Sequence, residues 1–230
     1  LASRLSAFYE RAGDFENLNG TEGSVTLIGA VSPQGGDFSE PVTQNTKRFI
    51  RTFWALDKSL AYARHYPAIN WLNSYSEYVI DLIPWYEENV SADFEEKRSK
   101  IISILQEESS LMEIVKLIGG DVLPEGQKAT LEVARVIRQG FLQQNAFHKE
   151  DTYVPLEKQF KMLDIILYLN DRVQELVERS IPVSQLMKSG VMEEIIKMKY
   201  TVPNDDLSRF DVLKSKIDSA VDGIKARYNS

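Results

Sequence analysis

Apolar residues recur at helical spacing over the larger, second part of the chain. From Asp93 onward they follow one another at intervals of three and four positions, as in Ile101, Ile104 and Leu105. This spacing places them on one face of an α-helix. The pattern resumes after each short polar interruption, so it predicts a bundle of about five or six helices.

The clearest interruption is the segment GGDVLPEGQ, residues 119–127. Its glycines and its proline break helical periodicity, and amphipathic segments flank it on both sides. The two flanking helices are therefore expected to be antiparallel neighbours joined by an exposed tip.

The first 80 residues show a different pattern. The segment SVTLIGAVS contains Val25, Leu27 and Ile28 without any charge, which is typical of a strand buried on both faces in a parallel sheet. A helix is expected to open at Pro41, and a short strand is expected around Thr52 to Ala55. Residues 1–80 are thus predicted to be the back part of an α/β domain, and residues 81–230 to be all-α.

The chain starts within a helical pattern, since Leu1, Leu5, Phe8 and Tyr9 share one face. A start at leucine inside such a pattern favours a chain that is cleaved or truncated relative to its gene product.

Composition narrows the possible functions. The chain has 230 residues, 43% of them hydrophobic and 27% charged, which is typical of a globular protein. It has no cysteine, which excludes disulfides, thiolate metal sites and cysteine nucleophiles. Its formal net charge of −7 disfavours binding to nucleic acid or to an anionic membrane surface. No apolar run of about 18 residues occurs, so no direct membrane insertion is expected.

The residues that most often carry catalysis form no recognisable arrangement. His65 and His148 lack the spacing of metal ligands, and the adjacent glutamate pairs do not face each other. The chain contains no GxSxG, no GxGxxG and no GxxxxGK[ST] motif. Residue chemistry alone predicts no catalytic residues and no metal site.

Three aromatic residues are expected on loops: Phe38 in GGDFSEP, Tyr66 in HYPAINW and Phe147 in QQNAFH. Loop aromatics beside glycine, proline or amide side chains can form a flat slot for a purine. They can equally fill a core. The paired glycines of SPQGGDFSEP, residues 32–41, also have two interpretations, because glycine permits either close approach to a ligand or simply a turn.

Long tracts resemble the catalytic A subunit of the A-type and V-type rotary ATPases. They are GSVTLIGAVSPQGGDFSEPVTQNTKRFIRTFWALDKSLAYARHYPAINWLNSYSEY, ILQEES, LEVARVIRQGFLQQNAFHKEDTY and EKQFKMLDIIL. The resemblance extends to about residue 170 and is looser beyond. It concerns the C-terminal portion of that protein only, so the family's P-loop, catalytic glutamate and magnesium-site residues are expected to precede Leu1.

The resemblance implies a fold and a site. Residues 1–80 are expected to complete a P-loop-type nucleotide-binding domain with parallel strands, residues 81–230 are expected to form the C-terminal helical bundle, and the adenine ring is expected between the two. Tyr66 and Phe147 are expected on the ring, Gln143 and Ala146 beside it, and Phe38 close by. The glycine loop is then expected to shape the base side of the pocket.

The resemblance also implies a role in a rotary complex. The chain is expected to supply the adenine pocket for ATP or ADP and a helical lever that couples ATP synthesis or hydrolysis to ion transport. Mg²⁺ is expected to be held by residues outside this chain. Expected partners are the B subunits of an alternating A/B ring and, through residues 119–127, the central stalk. The expected location is cytoplasmic and peripheral to the membrane, and the chain alone is expected to be inactive.

One alternative comes from a different class of function, a nucleotide-independent helical module that only docks on a partner. The α/β part with its aromatic loops is the feature that argues against it.

Overall fold

The computed structural model describes residues 2–228, which form two compact units. The first unit comprises the residues up to Ala55 together with Asn73–Ile80. The second comprises Leu56–Leu72 and the residues from Asp81 onward. Residues 56–72 thus group with the helical part, and the predicted division into domains 1–80 and 81–230 stays a prediction.

The first unit has two small antiparallel sheets. Its elements are α1 (Ala2–Tyr9), β1 (Gly13–Glu16), β2 (Glu22–Val25), a 3₁₀ turn (Gln34–Gly36), α2 (Pro41–Lys47), β3 (Thr52–Phe53) and β4 (Tyr75–Ser76). The helix predicted at Pro41 is confirmed, with proline in its first turn, and so is the short strand predicted around Thr52 to Ala55, although it ends at Phe53.

The buried parallel strand predicted around Val25, Leu27 and Ile28 is wrong. Strand β2 ends at Val25 and pairs antiparallel with β1, while Ile28 is 82% exposed. The reason is local: the amide of Asn17 donates to the carbonyl of Thr21 at 2.7 Å, and Gly20 has a φ of 76°. This turn closes a hairpin, whereas a parallel strand needs a neighbour reached by a crossover.

The second unit is helical, which confirms a helical bundle, but it has more than the five or six helices predicted because several of them are only four to six residues long. Its helices are α3 (Lys58–Tyr62), α4 (Tyr78–Asn89, which starts in the first unit), α5 (Phe94–Ile118), α6 (Glu125–Ile137), α7 (Lys149–Thr152), α8 (Leu156–Glu178), α9 (Ser184–Ser189), α10 (Val191–Ile196), α11 (Met198–Thr201) and α12 (Arg209–Tyr228). A π-helical segment, Arg138–Leu142, continues directly from α6.

Helix α8 is the centre of the second unit. Its residues Ile166, Leu169, Val173 and Leu176 are fully buried and follow the three-and-four spacing of the sequence. Helices α5, α6 and α12 pack around it. Removing this apolar surface from water is the main stabilisation of the unit.

The tip between α5 and α6 is shorter than predicted. Helix α5 ends at Ile118 and is followed by Gly119, whose φ of 84° favours glycine, and α6 starts at Glu125. Leu123 is buried and anchors the turn, while Leu117, Ile118 and Val122 are exposed. The predicted tip 119–127 therefore consists of a turn and the first residues of α6.

Candidate functional site

Two segments far apart in sequence meet in the second unit. The amide of Gln144 donates to the carbonyl of Tyr66 at 2.7 Å. One residue earlier, the side-chain Nε2 of Gln143 lies 3.3 Å from the carbonyl of Arg64. The structure thus joins the HYPAINW segment to the QQNAFH segment, and four of the five predicted site residues (Tyr66, Gln143, Ala146, Phe147) lie on these two segments.

The aromatic rings of both segments are exposed. Phe147 is 100% exposed and Tyr66 is 54% exposed. Phe147 therefore fills no core within residues 2–228, and both faces of its ring are in solvent there. Its backbone is held by short local bonds, since its amide donates to Oδ1 of Asn145 at 3.0 Å and the Thr152 hydroxyl donates to the Ala146 carbonyl at 2.8 Å.

Phe38, the fifth predicted residue, belongs to the first unit. Its half-buried ring meets the ring of Phe53 edge to face at 5.6 Å, and its carbonyl accepts a bond from Nε2 of Gln44 at 2.7 Å. Gly35 and Gly36 of the preceding loop have φ values of 67° and 79°, and no heavy atom lies within 4 Å of where their Cβ atoms would be. The turn itself, rather than a crowded contact, explains these glycines.

The π-helix holds the start of the QQNAFH segment. Its Gly140 permits close packing on α10, because a Cβ there would lie 3.2 Å from the Cα of Ile196. Arg138 bonds Glu108 of α5 at 2.9 Å, and Glu108 is 7% exposed. Burial raises the pKa of Glu108, and Arg138 opposes that shift. Such single π-turns are frequent at functional sites.

Asp151 closes the loop at its other end. It is 3% exposed, and its Oδ2 accepts a bond from the amide of Asn145 at 2.6 Å. The imidazole of His148 accepts a bond from the amide of Glu150, and its ring lies 4.6 Å from the ring of Tyr200. The loop that carries Ala146 and Phe147 is therefore fixed on both sides although its side chains are exposed.

Two buried lysines bond to this region, and sequence reasoning missed both. Lys199 donates from Nζ to the carbonyl of Gln139 at 2.6 Å and to the carbonyl of Gln143. Lys158 is fully buried and donates to the carbonyls of Lys199 and Val202. Burial lowers the pKa of each lysine, and nearby carboxylates oppose the shift. No signal in the sequence singles out either lysine, since Lys199 lies two positions from another lysine, Lys197.

His65, beside Tyr66, is also buried and faces a cavity. The cavity has a volume of about 270 Å³, and its lining includes His65, Trp71, Phe141 and Met162. None of the five predicted residues lines it. Burial lowers the pKa of His65, and the positive charges of Arg138 and Lys199 lower it further.

Across residues 2–228 the structure shows no group of three or more histidine or acidic side chains that could hold a metal ion. In the same range, no helix is long and apolar enough to cross a membrane.

Comparison with protein families gives two matches that follow one another along the chain. Residues 1–76 match the nucleotide-binding domain of the ATP synthase alpha/beta family. Residues 83–187 match the C-terminal domain of V and A type ATP synthase.

Individual relatives match nearly the whole chain. The V-type ATP synthase alpha chain 2 of Clostridium tetani is 57% identical over 228 residues, which cover 99% of this chain and 38% of the relative. The V-type ATP synthase alpha chain of Halothermothrix orenii is 53% identical over 229 residues, which cover 99% of this chain and 39% of the relative. The A-type ATP synthase A subunit of Methanopyrus kandleri is 52% identical over 221 residues, which cover 95% of this chain and 37% of the relative. The chain thus spans about two fifths of the length of the curated relatives it matches.

A solved structure has a similar fold. It is described as a unique ATP synthase subunit, NeqB, from Nanoarcheaum equitans, and it superposes with a TM-score of 0.59. The match covers 74% of this chain and 40% of that chain at 24% sequence identity. At that identity the similarity concerns the fold alone.

Proposed function

We propose, from the premise that this chain belongs to the family of V-type and A-type ATP synthase A subunits, that it supplies the base-binding part of a nucleotide site and a helical lever. The family match includes a nucleotide-binding domain, and the relatives are named as parts of ATP synthases. The position and use of the base site within this chain are our proposal.

The observation that carries the base site is the hydrogen bond from the Gln144 amide to the Tyr66 carbonyl. It brings together two loops that each present an exposed aromatic ring. A flat purine gains most from such rings when they are free of other packing, as Phe147 is.

Each residue has a proposed role. Phe147 and Tyr66 contact the faces of the adenine ring. Gln143 is held by Arg64 through its Nε2, which leaves its side-chain oxygen as an acceptor for an exocyclic amino group. Ala146 is exposed and small, so a ring can approach its backbone. Phe38 lies in the other unit, and its nearness to the base stays a prediction.

The α5–α6 hairpin is the proposed lever. Helix α6 has 13 residues and therefore runs about 20 Å from the tip to the π-helix. At one end, Leu117, Ile118 and Val122 expose apolar surface suited to a partner. At the other end, Arg138 of the π-helix forms a salt bridge with Glu108 of α5 and so connects the π-helix to the hairpin. We assign the tip to the central stalk, so a movement there would reach the loop that carries Phe147.

The remaining roles concern the assembled complex. We propose that the chain works beside B subunits of an A/B ring, that Mg²⁺ and the phosphates of ATP or ADP are held by residues outside this chain, and that the complex couples the reaction to ion transport at a membrane. The chemistry of phosphoryl transfer needs charge stabilisation around the transferring group. The part described here contributes base binding and movement to that reaction.

The test uses a hybrid protein, in which this chain replaces the matching residues of the Clostridium tetani relative, assembled with its partner subunits. Phe147→Ala is expected to weaken ATP binding by about 1–3 kcal/mol, the usual range for base–aromatic stacking. Because Phe147 is fully exposed, the unfolding midpoint should stay nearly unchanged. Val212→Ala, a change at an exposed position of α12 outside the base site and the proposed lever, is the control and should leave ATP binding unaltered. Unchanged ATP affinity in Phe147→Ala would refute the base site.

A further inference from the structure

Lys199 is an unusual residue for the interior of a protein. It lies on the short helix α11 and is 2% exposed. Among residues 2–228 it forms no salt bridge, and its Nζ instead donates to the carbonyls of Gln139 and Gln143. A buried ammonium is costly unless its donors are satisfied, so this arrangement needs a structural reason.

The reason lies in how the π-helix ends. The amide of Gln143 bonds the carbonyl of Arg138, five residues earlier, at 2.8 Å. The next bond of the same kind would run from the amide of Gln144 to the carbonyl of Gln139. That amide instead donates to the carbonyl of Tyr66. The carbonyl of Gln139 therefore loses its helical donor, and Lys199 replaces that donor at 2.6 Å.

We propose that Lys199 is a positioning residue of the nucleotide-base site. Its ammonium satisfies the two carbonyls at the end of the π-helix and so allows the Gln144 amide to cross to Tyr66. This contact in turn sets where the loop with Phe147 starts. The proposal rests on the proposed function, because it takes the Tyr66–Gln144 contact as the frame of the base site.

The surroundings fix Lys199 itself. Lys158 of α8 donates to the carbonyl of Lys199 at 3.1 Å, to Val202 at 2.7 Å, to Glu150 at 3.1 Å and to Oδ1 of Asn204 at 2.9 Å. The end of α11 is thereby attached to the central helix of the unit. Because the backbone of Lys199 is fixed in this way, its ammonium can hold the two carbonyls of the π-helix in place.

The direct structural test is hydrogen exchange in this chain. Lys199→Met keeps a side chain of similar length and removes the donors. The Gln144 amide should exchange faster in this variant, because the end of the π-helix loses the ammonium that holds it and the bond from Gln144 to Tyr66 then opens more often. Ile217→Ala, in the buried face of α12, is the control for a general loss of stability. Faster exchange at Gln144 should exceed the change that the control produces.

The functional test separates the base from the phosphates in the hybrid protein. Lys199→Met should weaken ATP binding about tenfold, since a displaced Phe147 loses part of the base–aromatic stacking. Affinity for inorganic tripolyphosphate, which has no base, should stay unchanged. Lys199→Gln keeps a shorter, uncharged donor and serves if the Met variant does not fold. It should also weaken ATP binding, by a smaller factor, and leave the affinity for tripolyphosphate unchanged.

The outcomes distinguish the two proposals. If Phe147→Ala weakens ATP binding and neither Lys199 variant does, Lys199 has no positioning role although the base site stands. If both ligands lose affinity equally, or Ile217→Ala has the same effect as Lys199→Met, Lys199 only stabilises the fold. If Phe147→Ala also leaves ATP affinity unchanged, the base site is wrong and the role of Lys199 in it is wrong as well.

Discussion

At the residue scale, the sequence could indicate the exposed aromatics but not the groups that hold them. Phe147 and Tyr66 follow from a resemblance carried by long, particular tracts. Lys199 and Lys158 could not be predicted, because lysine in a helical pattern is usually solvated and its burial depends on carbonyls supplied by other segments. The paired glycines before Phe38 were ambiguous in sequence, and their positive φ values now explain them as a turn.

His65 gives a prediction about pH. Its pKa in the folded chain lies below the ordinary value of 6.5, mainly because the ring is buried. Between 6.5 and that lower value, the unfolded chain binds a proton that the folded chain does not, so stability must fall as pH falls. Urea midpoints measured from pH 7.5 to 5 should show this fall, with a slope of at most about 1.4 kcal/mol per pH unit from this residue.

The control for this prediction is His65→Gln, which removes the titrating ring. The variant should be less stable at pH 7.5 because contact with Trp71 is lost, but its stability should depend less on pH below 6.5. Equal slopes for the variant and the parent chain would contradict the assignment.

At the element scale, helices and one short strand were predictable, but the pairing of β2 was not. The long helices α5, α6, α8 and α12 follow from apolar spacing that each segment carries within itself. Strand β2 was misjudged because a short apolar run does not reveal whether its partner is a local hairpin or a distant strand. The π-helix was also unpredictable, since its end depends on the Tyr66 carbonyl, 78 residues away from Gln144.

The tip between α5 and α6 gives a prediction about partners. Val122 is 65% exposed there, and the chain has no native cysteine. In the assembled complex, Val122→Cys treated with a thiol crosslinker should capture a central-stalk protein, identified by mass spectrometry. Glu125 is a poorer site for this experiment, because it bonds the amide of Val183 and the side chain of Lys128.

Val212→Cys on α12 is the matched control, since Val212 is 56% exposed on a different helix. It should yield no stalk product. Capture from both positions in equal amount, or from neither, would refute the proposed contact between the tip and the central stalk.

At the scale of the whole chain, the two units differ in how they are stabilised. The connected apolar core lies within the second unit, from Ile101 to Ile224. In the first unit, Ala55 is the buried apolar residue and Thr43 and Thr46 are the buried polar ones among those described. Sequence reasoning separated a helical part from an α/β part, but it could not place residues 56–72 with the helices, because that grouping depends on contacts such as Gln144 with Tyr66.

The groups that the chain contains determine what it can do by itself. The 230 residues contain no GxxxxGK[ST] motif, and residues 2–228 offer no acidic or histidine cluster for a metal ion. Stabilising the charge of a transferring phosphoryl group is the main task in ATP hydrolysis, and a base site contributes nothing to it directly.

The purified chain is therefore expected to release no phosphate from ATP above the buffer background, whereas the hybrid protein in complex with its partners should hydrolyse ATP. A contaminating ATPase is recognised because its activity does not follow the chain through successive columns. Hydrolysis that does follow the chain, and that a substitution within the 230 residues abolishes, would show that the catalytic groups lie here and that the proposed division of labour is wrong.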